Sequence, residues 1–333
     1  MLVSICLPTC NGREFVEQAI NSVLQQTYQQ YELLICDDCS DDGTYEIVQQ
    51  ISQDNNKIIC WRNSERAGLF ANYNNCLARA SGTVIKPFAQ DDLLADTALA
   101  RMVSVFQRES GVVLVCADKA QQNSYAAAAR DKIEEPLASG RIKGGDAILG
   151  CLRSYRNLIG EPVSVLFDAR YKDLGFDTNY HSLGDLDYWL RLLEKGDLFH
   201  IAEPLVFFRE HQSSATSTLL KNMDWVLDFY RLSKQYERYL KELALSREEY
   251  CMRFTELAGA LIDQLVRAGK LQIEQLDGFR EVAYYSMRRC AELSFKGREY
   301  DAVVNSTSWR ITGPLRYLMG QKKHDSNERT ARK

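Results

Sequence analysis

Along the N-terminal part of the chain, short continuous apolar runs alternate with longer stretches in which apolar residues recur every third or fourth position. Residues 3–7 (VSICL), 33–36, 57–61 (KIICW), 83–88 and 112–116 read as strands, the first closed by Pro8. Residues 14–25 place Phe15, Ala19, Ile20, Val23 and Leu24 on one helical face, and 43–51, 71–80 and 93–106 also read as helices. Strands alternating with helices predict βαβ units and a largely parallel sheet. Residues 118–156 are less regular and read as a surface excursion. The apolar pattern resumes at 158–167, a short helix is expected at 188–193, and 205–208 (LVFF) is a last strand.

The pattern then changes. No proline interrupts the chain between Pro204 and Pro314. A helix is predicted over 219–243, with Met223, Val226, Leu227 and Tyr230 on one face. A second opens at Ser246 with Glu249 three residues on, a capping box, and repeats Tyr250, Phe254, Leu257, Leu261 and Leu265 before Gly269. Residues 272–296 form a third helical pattern. The expected organisation is an α/β domain over 1–217, a helical domain over 218–304 and a basic C-terminal tail over 305–333.

Composition narrows the class. A formal net charge of −4 argues against a nucleic-acid binder, and no stretch approaches the ~20 apolar residues of a membrane span. The opening MLVSICLPTC carries no basic n-region, so no export signal is expected, and the ten cysteines are expected to stay reduced in a cytoplasmic protein. Charge is segregated. The tail holds seven basic residues against Asp325 and Glu328, a net of +5, which leaves −9 on residues 1–304. Trp309, Ile311, Leu315, Tyr317, Leu318 and Met319 stand among those charges, a pattern that predicts peripheral, salt-sensitive contact with an anionic membrane surface.

The chemistry is first ambiguous. Cys36 and Cys39 make a C-x-x-C pair and Cys6 and Cys10 a C-x-x-x-C pair, which suggests zinc or a redox disulfide. Yet a structural zinc site needs four ligands, and the four histidines show no paired spacing. The alternative lies in carboxylates at strand ends, where an open α/β sheet binds its ligands. Pro8-Thr9, Asp37-Asp38 and Gln90-Asp91-Asp92 all follow strands. Paired carboxylates raise each other's pKa unless a cation or donor neutralises them. A hard divalent ion bound through one or two carboxylates and substrate phosphates meets that need. Lys86 is a candidate phosphate partner. No G-x-x-x-x-G-K-[ST] loop, G-x-G-x-x-G fingerprint or G-x-S-x-G elbow is present.

The segment VSICLPTCNGREFVEQAINSVLQQTYQQYELLICDDCSDDGT resembles the opening of glycosyltransferase family 2, inverting enzymes of the GT-A fold, and NSTSWRITGPLRYL resembles a C-terminal phrase of bacterial cell-surface-polysaccharide transferases. The similarity continues through ANYNNCLARASGTVIKPFAQDDLL and LGDLDYWLRLLEKG to FFREHQSSATS. The resemblance implies a nucleotide-diphosphate-sugar donor, Mn2+ or Mg2+, and a glycan or lipid-linked saccharide acceptor. By the same resemblance Pro8 and Thr9 border the nucleoside, Asp38 accepts from the base, and Asn74 lines or braces the donor pocket. Asp91 lies near the ribose, Asp92 on the metal, and Asp185 is the catalytic base. Arg209 and His211 belong to a loop over the diphosphate. Asp187 is the rival base; on a helix, positions 185 and 187 point about 200° apart, so only one faces the site.

The sequence also departs from the family. Cys10 stands where an aromatic residue is usual, Cys39 where glycine is frequent, Gly184 where a glutamate commonly precedes the base, and Gln90 where the metal motif begins with a carboxylate. Two other readings stay open: a nucleotidyltransferase, and a catalytically silent GT-A domain serving as a scaffold.

Overall fold

The computed structural model describes residues 1–122, 137–209, 224–247, 249–254 and 256–257. The chain divides into two compact units, Met1–Ser217 and Thr218–Lys333.

The first unit is a mixed α/β domain of the GT-A class, built on one sheet. Its strands are β1 (Val3–Thr9), β2 (Tyr31–Asp37), β3 (Ile58–Arg62), β4 (Val84–Pro87), β5 (Leu93–Leu94), β6 (Val112–Gln122), β7 (Gly140–Ile142), β8 (Val165–Asp168) and β9 (Asp197–Arg209). Their order is β3-β2-β1-β4-β8-β6-β9-β5, with β7 also on β9. β3, β2, β1 and β4 run parallel, as do β6 and β9, and β8 lies antiparallel between the two groups.

All seven residues of β1 are buried, the mark of a parallel strand covered on both faces. One face carries Ile5, Leu7, Leu33 and Ile35 into a core shared with α1 (Val16–Leu24), α2 (Thr44–Gln53) and α4 (Ala98–Arg108). On that face Val16, Ala19, Ile20 and Val23 of α1 are fully buried, and truncating Ile20 to Ala would cost about 2–5 kcal/mol. The other face carries Cys6 and Cys36 toward α3 (Leu69–Arg79), whose Cys76 thiol lies 3.8 Å from the Leu34 carbonyl. The sheet therefore brings the polar ends of β1, β2 and β4 to one edge.

Three expectations are corrected by long-range contacts. Residues 93–94 are not helical but form β5 against Val206 and Phe207, and α4 begins only at Ala98. The excursion over 118–156 contains regular structure: β6 runs on to Gln122, and after β7 comes α5 (Gly144–Ser154), which buries Ala147, Ile148, Cys151 and Leu152. Gly144 looks like a breaker, but a Cβ there would stand 2.1 Å from the Leu193 carbonyl oxygen, so it is a point of close backbone approach. The last strand starts at Asp197 rather than 205: β9 carries extra residues on either side of Pro204, opposite Asp118 of β6, and the ladder continues past them.

In the second unit, α7 (Asp224–Gln235) and α8 (Glu237–Glu242) replace one continuous helix, with the break at buried Tyr236. Phe229 and Phe254 stack at 4.5 Å. The capping box forms: the Glu249 amide donates to Ser246 Oγ at 3.1 Å, and the Ser246 amide to Glu249 Oε2 at 2.8 Å. The helical pattern at 272–296 and the basic tail lie outside the described residues.

Candidate active site

The β1 and β2 ends meet first. Pro8 and Thr9 are buried, and Thr9 Oγ1 donates to Asp37 Oδ1 at 3.3 Å. Asp37 also accepts from the Ser40 amide at 3.0 Å and from Ser40 Oγ at 2.5 Å, and pairs with Arg62 Nε at 3.1 Å. Asp38 accepts from Asn63 Nδ2 at 2.9 Å and from the amides of Ala67 at 2.7 Å and Gly68 at 2.9 Å. It thereby pins the turn that opens α3. Asn72, which sequence reasoning passed over, sends Nδ2 to the Cys36 carbonyl at 2.9 Å and ties α3 to the same edge. Asn74 braces instead the loop before the base helix: Nδ2 donates to the Phe176 carbonyl at 2.8 Å and Oδ1 accepts from its amide at 2.7 Å.

Gln90 explains its own departure. Its amide exchanges two bonds with Cys10, accepting from the Cys10 amide and donating to the Cys10 carbonyl, both at 2.9 Å. A carboxylate could make only the first. The two loops are thus locked together, and Asp91 and Asp92 follow at the lip. Asp92 is 2% exposed and accepts from the Arg209 amide at 3.1 Å. Burial, with Asp91 beside it, pushes its carboxyl well above the usual range. The Arg209 guanidinium folds over this corner. Nε donates to the Asp91 carbonyl, Nη1 to Gln18 Oε1 at 2.5 Å, and the group lies 4.9 Å above the Phe15 ring. Its Nη2 is buried with no hydrogen-bond partner among the described residues.

Lys86 turns the other way. Its buried ammonium donates to the carbonyls of Pro87 at 3.1 Å, Pro162 at 3.3 Å and Val163. Burial pushes it down to about 7, against the opposing pull of Asp92. All three donor hydrogens are spent on backbone, so the expectation of a free phosphate ligand gives way to a strut between β4 and the 162–163 turn.

Asp185 and Asp187 lie in the first turn of α6 (Gly184–Leu193) and have different surroundings. Asp187 is 1% exposed and pairs with Arg191 at 2.7 Å, whose guanidinium also holds the Leu174 and Gly175 carbonyls. Asp185 accepts from Asn157 Nδ2 at 3.0 Å and from the Leu186 amide at 2.7 Å. Burial pushes its carboxyl up to about 7, the two hydrogen bonds opposing and the charge of Glu161 adding. Gly184 packs on Phe70: a Cβ there would come within 2.6 Å of the ring, so a glutamate before the base has no room. Phe70, Phe176, Tyr188 and Trp189 stack beneath it, with Trp189 fully buried.

Glu161, absent from the sequence reading, lies close enough to raise both Asp92 and Asp185. Its carboxylate is held by Lys119 Nζ at 2.5 and 2.6 Å. No sequence pattern marked it, because it comes from an irregular turn brought in by β8. His211 lies outside the described residues. The cysteines make separate contacts: Cys36 Sγ with Asn63 Oδ1 and Cys39 Sγ with the Asn63 carbonyl, both at 3.2 Å, and Cys10 Sγ with the Asp38 carbonyl at 3.7 Å.

Among the described residues no three of His, Cys, Asp and Glu cluster to hold an ion unaided. The buried Asp92 beside Asp91 nevertheless suits a hard divalent cation that draws its remaining ligands from phosphate and water.

The family model for Glycosyl transferase family 2 matches residues 4–157. The chain is 26% identical over 227 residues to the putative teichuronic acid biosynthesis glycosyltransferase TuaG of Bacillus subtilis, covering 66% of this chain and 83% of that protein. It is 26% identical over 225 residues to the UDP-Glc:alpha-D-GlcNAc-diphosphoundecaprenol beta-1,3-glucosyltransferase WfaP of Escherichia coli, covering 67% and 82%. Among solved structures it resembles the mannosyltransferase PcManGT of Pyrobaculum calidifontis in complex with GDP-Man and Mn2+, with a TM-score of 0.55 and 15% identity over 86% of this chain and 80% of that one. The stretch that matches glycosyltransferase family 2, residues 4–157, is the one that carries the strand-end acids Asp37, Asp38, Asp91 and Asp92.

Proposed function

We propose that this chain is an inverting glycosyltransferase that moves a sugar from a nucleotide-diphosphate-sugar donor to an acceptor hydroxyl during assembly of a bacterial surface polysaccharide. The observation that carries the reading is Asp185. It is a carboxylate pushed up to about 7, held by two donors, beside a site that also contains Asp91, Asp92 and Arg209. A general base works best with a pKa near the working pH. Asp187, the rival, is committed to Arg191.

In this reading Asp185 takes the proton of the acceptor hydroxyl as its oxygen attacks the anomeric carbon from the face opposite the leaving group. The new glycosidic bond forms as the bond to the diphosphate breaks, so the configuration inverts. Asp92, with Asp91, would hold Mn2+ or Mg2+, which when bound supplies charge neutralisation for the departing diphosphate. Arg209 Nη2 offers a further donor to those oxygens. Asp38, with Pro8 and Thr9, forms the nucleoside end, and His211 completes the diphosphate loop.

Replacing Asp185 with Asn tests the reading. The amide keeps the shape but cannot accept the proton. Turnover of a radiolabelled donor is expected to fall about 10²–10⁴-fold, with nucleoside diphosphate affinity unchanged. A variant that keeps wild-type turnover would overturn the assignment.

The acceptor is proposed to be lipid-linked, as the name of WfaP states for that enzyme, and to be met at the inner face of the cytoplasmic membrane. The net +5 of residues 305–333 supports this reading, since each Lys or Arg near an anionic bilayer is worth about 1 kcal/mol. No helix among the described residues is long and apolar enough to cross a membrane. The full chain is expected to pellet with anionic liposomes at low salt, and a truncation after Asp301 to stay in the supernatant.

A further inference from the structure

The turn from Asn157 to Pro162 touches the Asp185 carboxylate from outside its own helix. All four hydrogen-bonding positions of the Asn157 amide are used. Oδ1 accepts from the amides of Ile159 at 3.2 Å and Gly160 at 3.0 Å. Nδ2 donates to the Gly160 carbonyl and to Asp185 Oδ2, each at 3.0 Å. The turn is held from the other side by Trp189 Nε1, which donates to the same Gly160 carbonyl at 3.0 Å. Gly160 has φ +107°, open to glycine but strained for other residues. A side chain fixed at every polar atom has no rotamer freedom left.

We infer that Asn157 is a positioning residue for Asp185: it sets the carboxylate's orientation and holds Oδ2, leaving Oδ1, which accepts from the Leu186 amide, to receive the acceptor's proton. This rests on the reading of Asp185 as the base.

The electrostatics agree. A bond donated to the charged form favours it, so Asn157 counteracts burial and the Glu161 charge. The groups facing Asp185 are Glu161, itself paired with Lys119, from the turn and Tyr73 from α3. Asp187 and Arg191 of its own helix are paired with each other. Without Asn157 the carboxylate would hold its proton to higher pH and lose its fixed direction.

The test uses the full chain labelled with ¹³C at aspartate side-chain carboxyls, the resonance of Asp185 being the one that Asp185→Asn removes. Asn157→Ser removes the long amide; Asn157→Leu keeps much of its volume but removes the donor without adding charge. A hydrogen bond to a charged group corresponds to roughly one pKa unit or more, so both variants are expected to raise the Asp185 midpoint by at least about one unit. Release of nucleoside diphosphate from UDP-glucose and GDP-mannose should show kcat reduced at least tenfold at pH 7 for whichever donor is turned over, with donor KM unchanged. An Asp185 midpoint that stays within about 0.3 units of wild type in both variants would overturn the inference, whatever the turnover. The base reading is judged separately, by the turnover of Asp185→Asn: an active Asp185→Asn with a shifted midpoint in the Asn157 variants would refute the base and leave the contact.

Discussion

The acids at the ends of β1 and β2 and those at the start of α6 and after β4 are held in opposite ways. At the ends of β1 and β2, Asp37 receives donors from Thr9, Ser40 and Arg62, and Asp38 receives three from Asn63, Ala67 and Gly68. Asp37 is saturated and Asp38 keeps one acceptor position, and both anchor the turns around them. Asp185, by contrast, has one side-chain donor, Asn157, besides backbone amides, and burial raises it to about 7. Asp92 is also raised well above the usual range, by burial and by Asp91 beside it. Asp37, Asp38 and Asp92 are all buried, so among these three the number of donors separates the scaffold acids from the one that remains available for a proton or a cation.

The contrast can be broken by experiment, beginning with the largest effect. Asp187→Asn should cost about 3–5 kcal/mol of stability, because it strands the Arg191 guanidinium in a buried site. Denaturant titration measures this, and the folded fraction should keep much of its turnover. A stable but inactive Asp187→Asn would reverse the roles of the two acids.

Asp92→Ala should leave the fold intact and remove the gain in nucleoside diphosphate affinity that manganese confers, a loss of roughly 10–100-fold by calorimetry if the ion contributes about 1.4–2.7 kcal/mol. Equal affinity in chelator for the wild type would remove the ion from the reading.

The smallest effect is expected at Glu161. Its charge raises Asp185, so Glu161→Gln should lower the Asp185 midpoint and move the acid limb of the kcat–pH profile to lower pH, by some tenths of a unit given its half-exposed position. The sign is definite: activity requires ionised Asp185, is full above its pKa of about 7, and is lost as pH falls through that value. The same raised pKa means that the folded state binds a proton the unfolded state has released, so this group's contribution to stability declines as pH rises from about 4 to about 7. Asp185→Asn should therefore melt above wild type at pH 8 and close to it near pH 4.

Local pattern alone made β1 to β4, α1 to α3 and the capping box at Ser246 legible, because each is a continuous run whose apolar period matches its own geometry. It also set the polar clusters at the strand ends, since a parallel sheet gathers its carboxyl ends on one edge whatever the detail of packing. What it could not contain is anything that depends on a distant partner. β5 exists because Val206 and Phe207 offer it a ladder, α5 because Gly144 can approach the end of α6, and the reach of β9 because β6 pairs with it on both sides of the irregularity at Pro204. The same holds for the chemistry. Lys86 becomes a strut because the 162–163 carbonyls are there to receive it, and Asp185 differs from Asp187 because Asn157 faces one and Arg191 the other. The order of residues determined which groups stand at the groove; the desolvation and hydrogen-bond donors that give each acid its character come from parts of the chain far away in sequence, and only the folded structure assigns them.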